Sequence, residues 1–190
     1  MSAGGRIVVV TDTSVLVNFL CIDRMDLLAR HSDRFVITDH VADEITDHYP
    51  EEKARLNAAL ADGTVEQCSV SGEVALDLFQ TLSETRKLGS GESAAIAYAI
   101  ANHCALAIED RAAVKRALEL KSDLVVLGTQ DIMVQLIRSG FLDIADADRI
   151  KETWAEKHRF RLAISSFGEV LRGGRRPREN PNRSRKAREK

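Results

Sequence analysis

Cysteine is scarce in this 190-residue chain: Cys21, Cys68 and Cys104 are odd in number, far apart and without a Cys-x-x-Cys pair. A disulfide framework and a zinc knuckle are thereby excluded, and apolar neighbours mark all three as reduced core residues. No apolar run approaches the roughly 20 residues that a bilayer span requires. Met1 to Gly5 lack the apolar stretch of a signal peptide. The expectation is a cytoplasmic protein without a membrane partner. No internal repeat is present. An apolar fraction of 44% is ordinary for a soluble globular protein, and the length suffices for one core with an appendage.

Proline is as scarce, and two of the three, Pro177 and Pro181, lie close to the C-terminus. They fall in a segment of unusual charge. From Arg172 to Lys190, nine Lys or Arg stand against Glu179 and Glu189, a charge of +7. The rest of the chain keeps 18 basic and 27 acidic residues, a charge of −9. A near-neutral total therefore conceals an acidic body and a basic tail. With almost no apolar side chains, residues 172–190 are expected to be disordered in isolation. They read either as an electrostatic arm for nucleic acid, displacing counterions from phosphates, or as a solubilising extension.

In the body, short apolar runs alternate with segments of helical periodicity. Ile7 to Thr11 is continuous, apolar and rich in β-branched residues, which predicts a strand buried on both faces. Arg34 to Thr38, Ala105 to Ile108 and Leu124 to Leu127 read as further strands, and Val65 to Val70 as a weaker one. Helices are expected at 14–20, 24–30, 40–48, 51–61, 72–86, 92–102, 111–120 and 130–139, with Asp39 capping the one at 40–48. A last helical region covers about 146–171. Such alternation predicts an α/β fold, three layers with helices on both faces of a mostly parallel sheet.

Four acids fall where strands end or helices begin. Asp12 and Asp110 follow strands directly, Glu92 opens a helix after Gly89-Ser90-Gly91, and Glu44 lies on the helix after the second strand. In an open parallel sheet, ligands bind beyond the carboxyl ends of the strands. Asp12 at such a place is either a site residue or a helix cap. Four converging carboxylates would repel and raise one another's pKa values. Mg²⁺ or Mn²⁺ relieves that repulsion through hard oxygen ligands. Such ions can activate water and stabilise the leaving oxygen of a phosphodiester. The pattern points to phosphodiester hydrolysis.

Other chemistries fit less well. His40, Glu44 and His48 are spaced to share a helix face, but His-Glu-x-x-His is absent and a solvated polar face accounts for them. A covalent aspartyl phosphatase usually carries Asp-x-Asp, and Ser14 stands at the second position. Gly89-Ser90-Gly91-Glu92 lacks the Lys of a phosphate-cradling loop. Gly173-Gly174 with Arg175 and Arg176 is only weakly similar to Gly/Arg segments that bind RNA.

Ile7 to Asn18 (IVVVTDTSVLVN), Val36 to Glu44 (VITDHVADE), Leu88 to Ala99 (LGSGESAAIAYA) and Leu106 to Ala117 (LAIEDRAAVKRA) resemble the motifs of PIN domains, in the same order. Leu127-Gly128-Thr129 resembles the last strand and turn of a bacterial branch. The resemblance covers about residues 6–142. It implies a metal-dependent ribonuclease of the kind found in VapC-type toxins, with Mg²⁺ or Mn²⁺ held by Asp12, Glu44, Glu92 and Asp110. It also implies RNA as substrate, and allows an antitoxin protein and a second copy of the chain as partners. The alternative is a PIN-like binding module that keeps the acids and turns over little RNA.

The chain departs from the pattern at two places. Glu92 stands where many PIN domains carry Asp, and Glu109 adjoins Asp110. Side chains alternate along a strand, so only one of that pair is expected to reach the site, and Asp110, in the turn, is the choice. Asp131 is either a fifth acid or a helix cap. Thr13 and Ser14 either bond a ligand carboxylate or phosphate, or cap. The expected organisation is a nuclease domain over 6–145, a helical extension over 146–171 and the basic tail.

Overall fold

Val9 and Val10 are adjacent, fully buried and part of two different cores. That can happen only in a strand covered on both faces. A computed structural model describes residues 7–46, 48–84 and 88–173. Its five strands are β1 (Val8–Thr11), β2 (Arg34–Thr38), β3 (Val65–Cys68), β4 (Ala105–Ala107) and β5 (Val126–Leu127). All pair in parallel, in the order β3-β2-β1-β4-β5. The sheet is thus wholly parallel, with β1 at its centre.

The helices are α1 (Thr13–Leu20), α2 (Met25–Arg30), α3 (Asp39–Glu44), α4 (Pro50–Ala61), α5 (Glu73–Ser83), α6 (Ser90–Ala101), α7 (Arg111–Leu120), α8 (Thr129–Arg138), α9 (Ile144–Lys157) and α10 (Phe167–Arg172). On one face of the sheet Val9, Phe35, Ile37 and Ala107 share a core with Leu16 and Phe19 of α1, Met133 of α8, Trp154 of α9 and Phe167 of α10. On the other, Val10, Val36, Leu106 and Ile108 pack with Ile96 and Ala99 of α6 and Ala113 and Ala117 of α7. Alanines let α6 lie close to the sheet. The result is the three-layer α/β/α fold expected from the alternation. No helix among the described residues is long and apolar enough to cross a membrane.

The chain runs outward from β1 through β2 and β3, then resumes at β4 on β1's other side. This reversal puts the switch point of the sheet, where open α/β sheets bind their ligands, at the carboxyl ends of β1 and β4.

Local differences from the sequence expectations have physical causes. The helix expected over 40–48 stops at Glu44, because Ile45 leaves helical geometry (φ −89°, ψ 84°). Thr38, not Asp39, caps it, with Oγ1 accepting the Val41 N–H at 3.4 Å. The Asp39 carboxylate instead accepts bonds from the side chains of Gln67, in β3, and Ser69, just past it. The strand expected over 65–70 ends at Cys68, and the one over 124–127 pairs only at Val126 and Leu127.

The region 146–171 is two helices rather than one. His158 closes α9, Arg159 takes a left-handed φ of 55°, and Phe160 folds back edge-on against Trp154 at 5.5 Å. A new start at Ser166, whose hydroxyl accepts the Glu169 N–H at 3.2 Å, opens α10. α5 ends at Ser83 with Glu84 as its cap, short of the helix expected over 72–86. Residues 85 and 86 of that expectation, and the expectations for Met1 to Gly5 and for the tail from residue 174 on, lie outside the described residues.

Candidate active site

Asp12 follows β1 directly, and its backbone N–H continues the ladder to the Ala107 carbonyl at 3.0 Å. Its side chain turns back over the first turn of α1. Oδ1 accepts the Val15 N–H at 3.0 Å and Oδ2 accepts the Ser14 hydroxyl at 2.7 Å. The residue is therefore a helix cap and, at the same time, an acid at the reversal of the sheet. Only 1% of it is exposed. Burial pushes its pKa up to about 7, and the charges of Glu92 and Glu109 add to the rise against the two hydrogen bonds.

Glu44 reaches the same place from α3. It is exposed, and its carboxylate bridges two segments: Oε2 accepts the Thr13 hydroxyl and Oε1 accepts the Gly91 N–H at 2.6 Å. Gly91 is in the first turn of α6, where N–H groups lack helical partners and the dipole favours an anion. Glu92 bends back on that same turn, with Oε2 accepting the Gly89 N–H at 2.9 Å. A Cβ at Gly89 would stand 3.9 Å from both Glu44 Oε1 and Glu92 Oε2, so one glycine lies against both carboxylates.

Asp110 and Glu109 lie past β4, which ends at Ala107. Strand alternation has lapsed there, and both side chains find partners at the same edge. Asp110 is exposed and caps α7, accepting the Ala113 N–H at 2.8 Å. Glu109 is half-buried and accepts the Thr129 N–H at the start of α8 at 2.6 Å. Asp131 caps α8, accepting the Gly128 N–H at 2.8 Å.

Every acid of the group thus rests on the N-terminus of a helix, α1, α6, α7 or α8, and these partial positive charges offset their repulsion. None of Asp12, Glu44, Glu92, Glu109 and Asp110 forms an ion pair among the described residues. Among those residues no three His, Cys, Asp or Glu side chains are gathered as a ready metal-binding group. A zinc face over His40, Glu44 and His48 is not built. α3 ends at Glu44, and the His40 ring lies against Phe79 at 4.5 Å.

The donors nevertheless suit a hard divalent cation. All are carboxylate oxygens, and the buried Asp12 has no described cation to balance its charge. Thr13 and Ser14 bond the acids themselves. Glu109 is the acid that strand alternation hides in the sequence; the cue for it is the short β4, after which alternation no longer applies.

The family model DUF3368, a PIN domain, matches residues 8–173. Among curated proteins, none matches the chain. Among solved structures it is similar to VapBC2 from Rickettsia felis bound to a DNA fragment from its promoter. That match has 15% identity and a TM-score of 0.45, over 64% of this chain and 98% of that one. It is also similar to PAE2754 from Pyrobaculum aerophilum, at 13% identity and a TM-score of 0.47, over 73% and 96% of the two chains.

Proposed function

The chain belongs to the PIN-domain family, and from that premise we propose that it is a metal-dependent ribonuclease that hydrolyses RNA phosphodiester bonds. Asp12 carries the reading: a buried carboxylate at the reversal of a parallel sheet, with its pKa pushed to about 7 and no described counter-charge. Asp12, Glu44, Glu92 and Asp110 would hold Mg²⁺ or Mn²⁺. When bound, such an ion would supply an activated water and charge stabilisation at the leaving oxygen.

The chain's own part is to prepare the ligands. Ser14 and the Val15 N–H fix the Asp12 carboxylate, and burial shields it from competing water. Thr13 and the Gly91 N–H draw Glu44 from the end of α3 to the start of α6. Glu92 and Asp110 act as caps in this arrangement, so ligation exchanges cap bonds worth about 1 kcal/mol each for bonds to the ion.

In this reading residues 6–145 are the nuclease domain, 146–171 brace it, and 172–190 draw the polyanion to an otherwise acidic body. The protein would act in the cytoplasm. A toxin role, with an antitoxin protein as partner, is the further extension, tested by co-expression with the product of the adjacent gene. Whether the active form is a homodimer is read from its mass in solution.

The deciding experiment incubates the full chain with mixed RNAs in Mg²⁺, in Mn²⁺ and in EDTA, beside Asp12→Asn. Cleavage is expected with either ion and in neither control. Equal cleavage by Asp12→Asn or in EDTA would remove the acids from the chemistry. One observation favours a second reading: each acid already has a structural role at a helix N-terminus. A PIN-like binding module would retain RNA without cutting it under all three conditions.

A further inference from the structure

Charge is unevenly spread over the helices. α7 carries Arg111, Lys115 and Arg116 against Glu119, a net +2, while every other described helix is neutral or acidic. It does so on a body whose charge up to residue 171 is −9. The charges of α7 also run against its dipole. No acid stands in its first turn and no base in its last, although the dipole favours acids at a helix start and bases at its end. Lys115 precedes Glu119 by four residues, the less favourable order for such a pair. The stability of α7 does not account for this distribution.

Arg111 and Lys115 are both exposed and free to act on something else. Among the described residues Arg111 forms no ion pair. The Lys115 side chain is 80% exposed, and its Nζ stands 3.9 Å from Glu119 Oε1, an acid it shares with Arg116 at 3.5 Å. Exposed pairs of that length contribute little. Arg111 and Lys115 lie one turn apart on one face, with Cβ atoms about 5–6 Å from each other. That face begins at the acids, since Arg111 directly follows Asp110, whose carboxylate caps α7.

An acidic body repels a polyanion, and a cation held by the acids would offset this only at the point of cleavage. The strand beyond that point still has to be held. We propose that RNA runs away from the acid group over the exposed face of α7, with Arg111 and Lys115 contacting backbone phosphates. The proposal rests on RNA being the substrate, as in the function proposed above. Such contacts position a strand and carry no sequence information.

The test measures binding of labelled single-stranded RNA to the full chain by fluorescence anisotropy over a series of salt concentrations. EDTA keeps the strands intact, and both a mixed sequence and an oligouridine are used. Arg111→Gln, Lys115→Gln, the double variant and Arg111→Lys are compared with Arg138→Gln, which removes an exposed cation at the last residue of α8. Each neutralisation on α7 should weaken both RNAs alike. The slope of log affinity against log salt should become shallower by about 0.7 for each single variant and about 1.4 for the double. Arg111→Lys and Arg138→Gln should keep the wild-type slope. The thermal midpoint should hold in all of them, and rise slightly in Arg111→Gln, where a cation leaves the first turn.

Wild-type affinity and slope in the double variant would overturn the proposal and leave the face to an acidic protein partner. An equal loss in Arg138→Gln would also overturn it, because the effect would then follow total charge rather than place. So would a wild-type chain that holds no RNA. A chain that binds RNA through α7 but cuts none in Mg²⁺ or Mn²⁺ would defeat the ribonuclease reading and leave this one standing. Metal-dependent cleavage together with wild-type binding by the double variant would do the reverse.

Discussion

The Glu44 carboxylate fills the space over Gly91. Its Oε1 accepts the Gly91 N–H at 2.6 Å, and a Cβ built on Gly91 would stand 2.6 Å from its Oε2. Any side chain at position 91 must push Glu44 away, and the obstacle is the far end of a flexible side chain rather than backbone.

Gly91→Ala therefore tests Glu44 without touching an acid. Alanine in a helix gains about 1 kcal/mol over glycine. Losing a hydrogen bond to a charged acceptor costs about 1.5–3 kcal/mol. The thermal midpoint should move little, while RNA cleavage falls at least tenfold. Wild-type cleavage by a folded Gly91→Ala would show that the position of Glu44 is immaterial.

Asp12→Asn is expected to remove cleavage and to change how stability depends on pH. In the metal-free protein the folded pKa, about 7, exceeds the ordinary value of 3.8. Between those values the native state holds more protons than the unfolded state, so wild-type stability falls as pH rises from about 4 to 7 and is level above. At about 1.4 kcal/mol per pKa unit, the fall is at most about 4 kcal/mol. Asparagine removes it. Chelator-treated samples melted from pH 4 to 8 give the comparison, and parallel curves for the two proteins would contradict the assignment.

Much of this arrangement is legible in the sequence because it is local. β1 and β2 announce themselves as β-branched runs, and Asp12 and Glu92 stand at helix starts that the sequence marks. The end of α3 is not legible. It is set in part by where the Glu44 carboxylate must reach, and its anchors are Thr13, 31 residues away, and Gly91, 47 residues away. Nor is the choice between Glu109 and Asp110, which turns on alternation along a strand that stops at Ala107. The attachment of α9 is equally hidden, since Trp154 bonds Asn18 across 136 residues of chain. Local pattern does not carry such long bonds.

Cation binding should expel protons. Asp12 is partly protonated below pH 7 and must be ionised to ligate, so Mn²⁺ binding at pH 6 should release close to one proton, and at pH 8 almost none. Calorimetry in buffers of different ionisation enthalpy reads the number directly. Apparent affinity should weaken about tenfold per pH unit below 7. A proton count that is the same at both pH values would mean that Asp12 is not a ligand.

The basic tail sets a different test, and its boundary matters. α10 runs to Arg172, whose Nε donates to the Gly168 carbonyl at 3.2 Å, and Phe167 is fully buried. The cut therefore belongs after Gly173 rather than before Arg172. Removing 174–190 takes away eight Lys or Arg and two Glu, and almost no apolar side chains. The thermal midpoint should hold, because such a composition adds little to a core. RNA affinity should drop, and the slope of log affinity against log salt should become shallower by about 0.7 for each phosphate that the tail no longer neutralises. An unchanged slope would reduce the tail to a solubilising extension, and a large loss of stability would mean that it docks on the body.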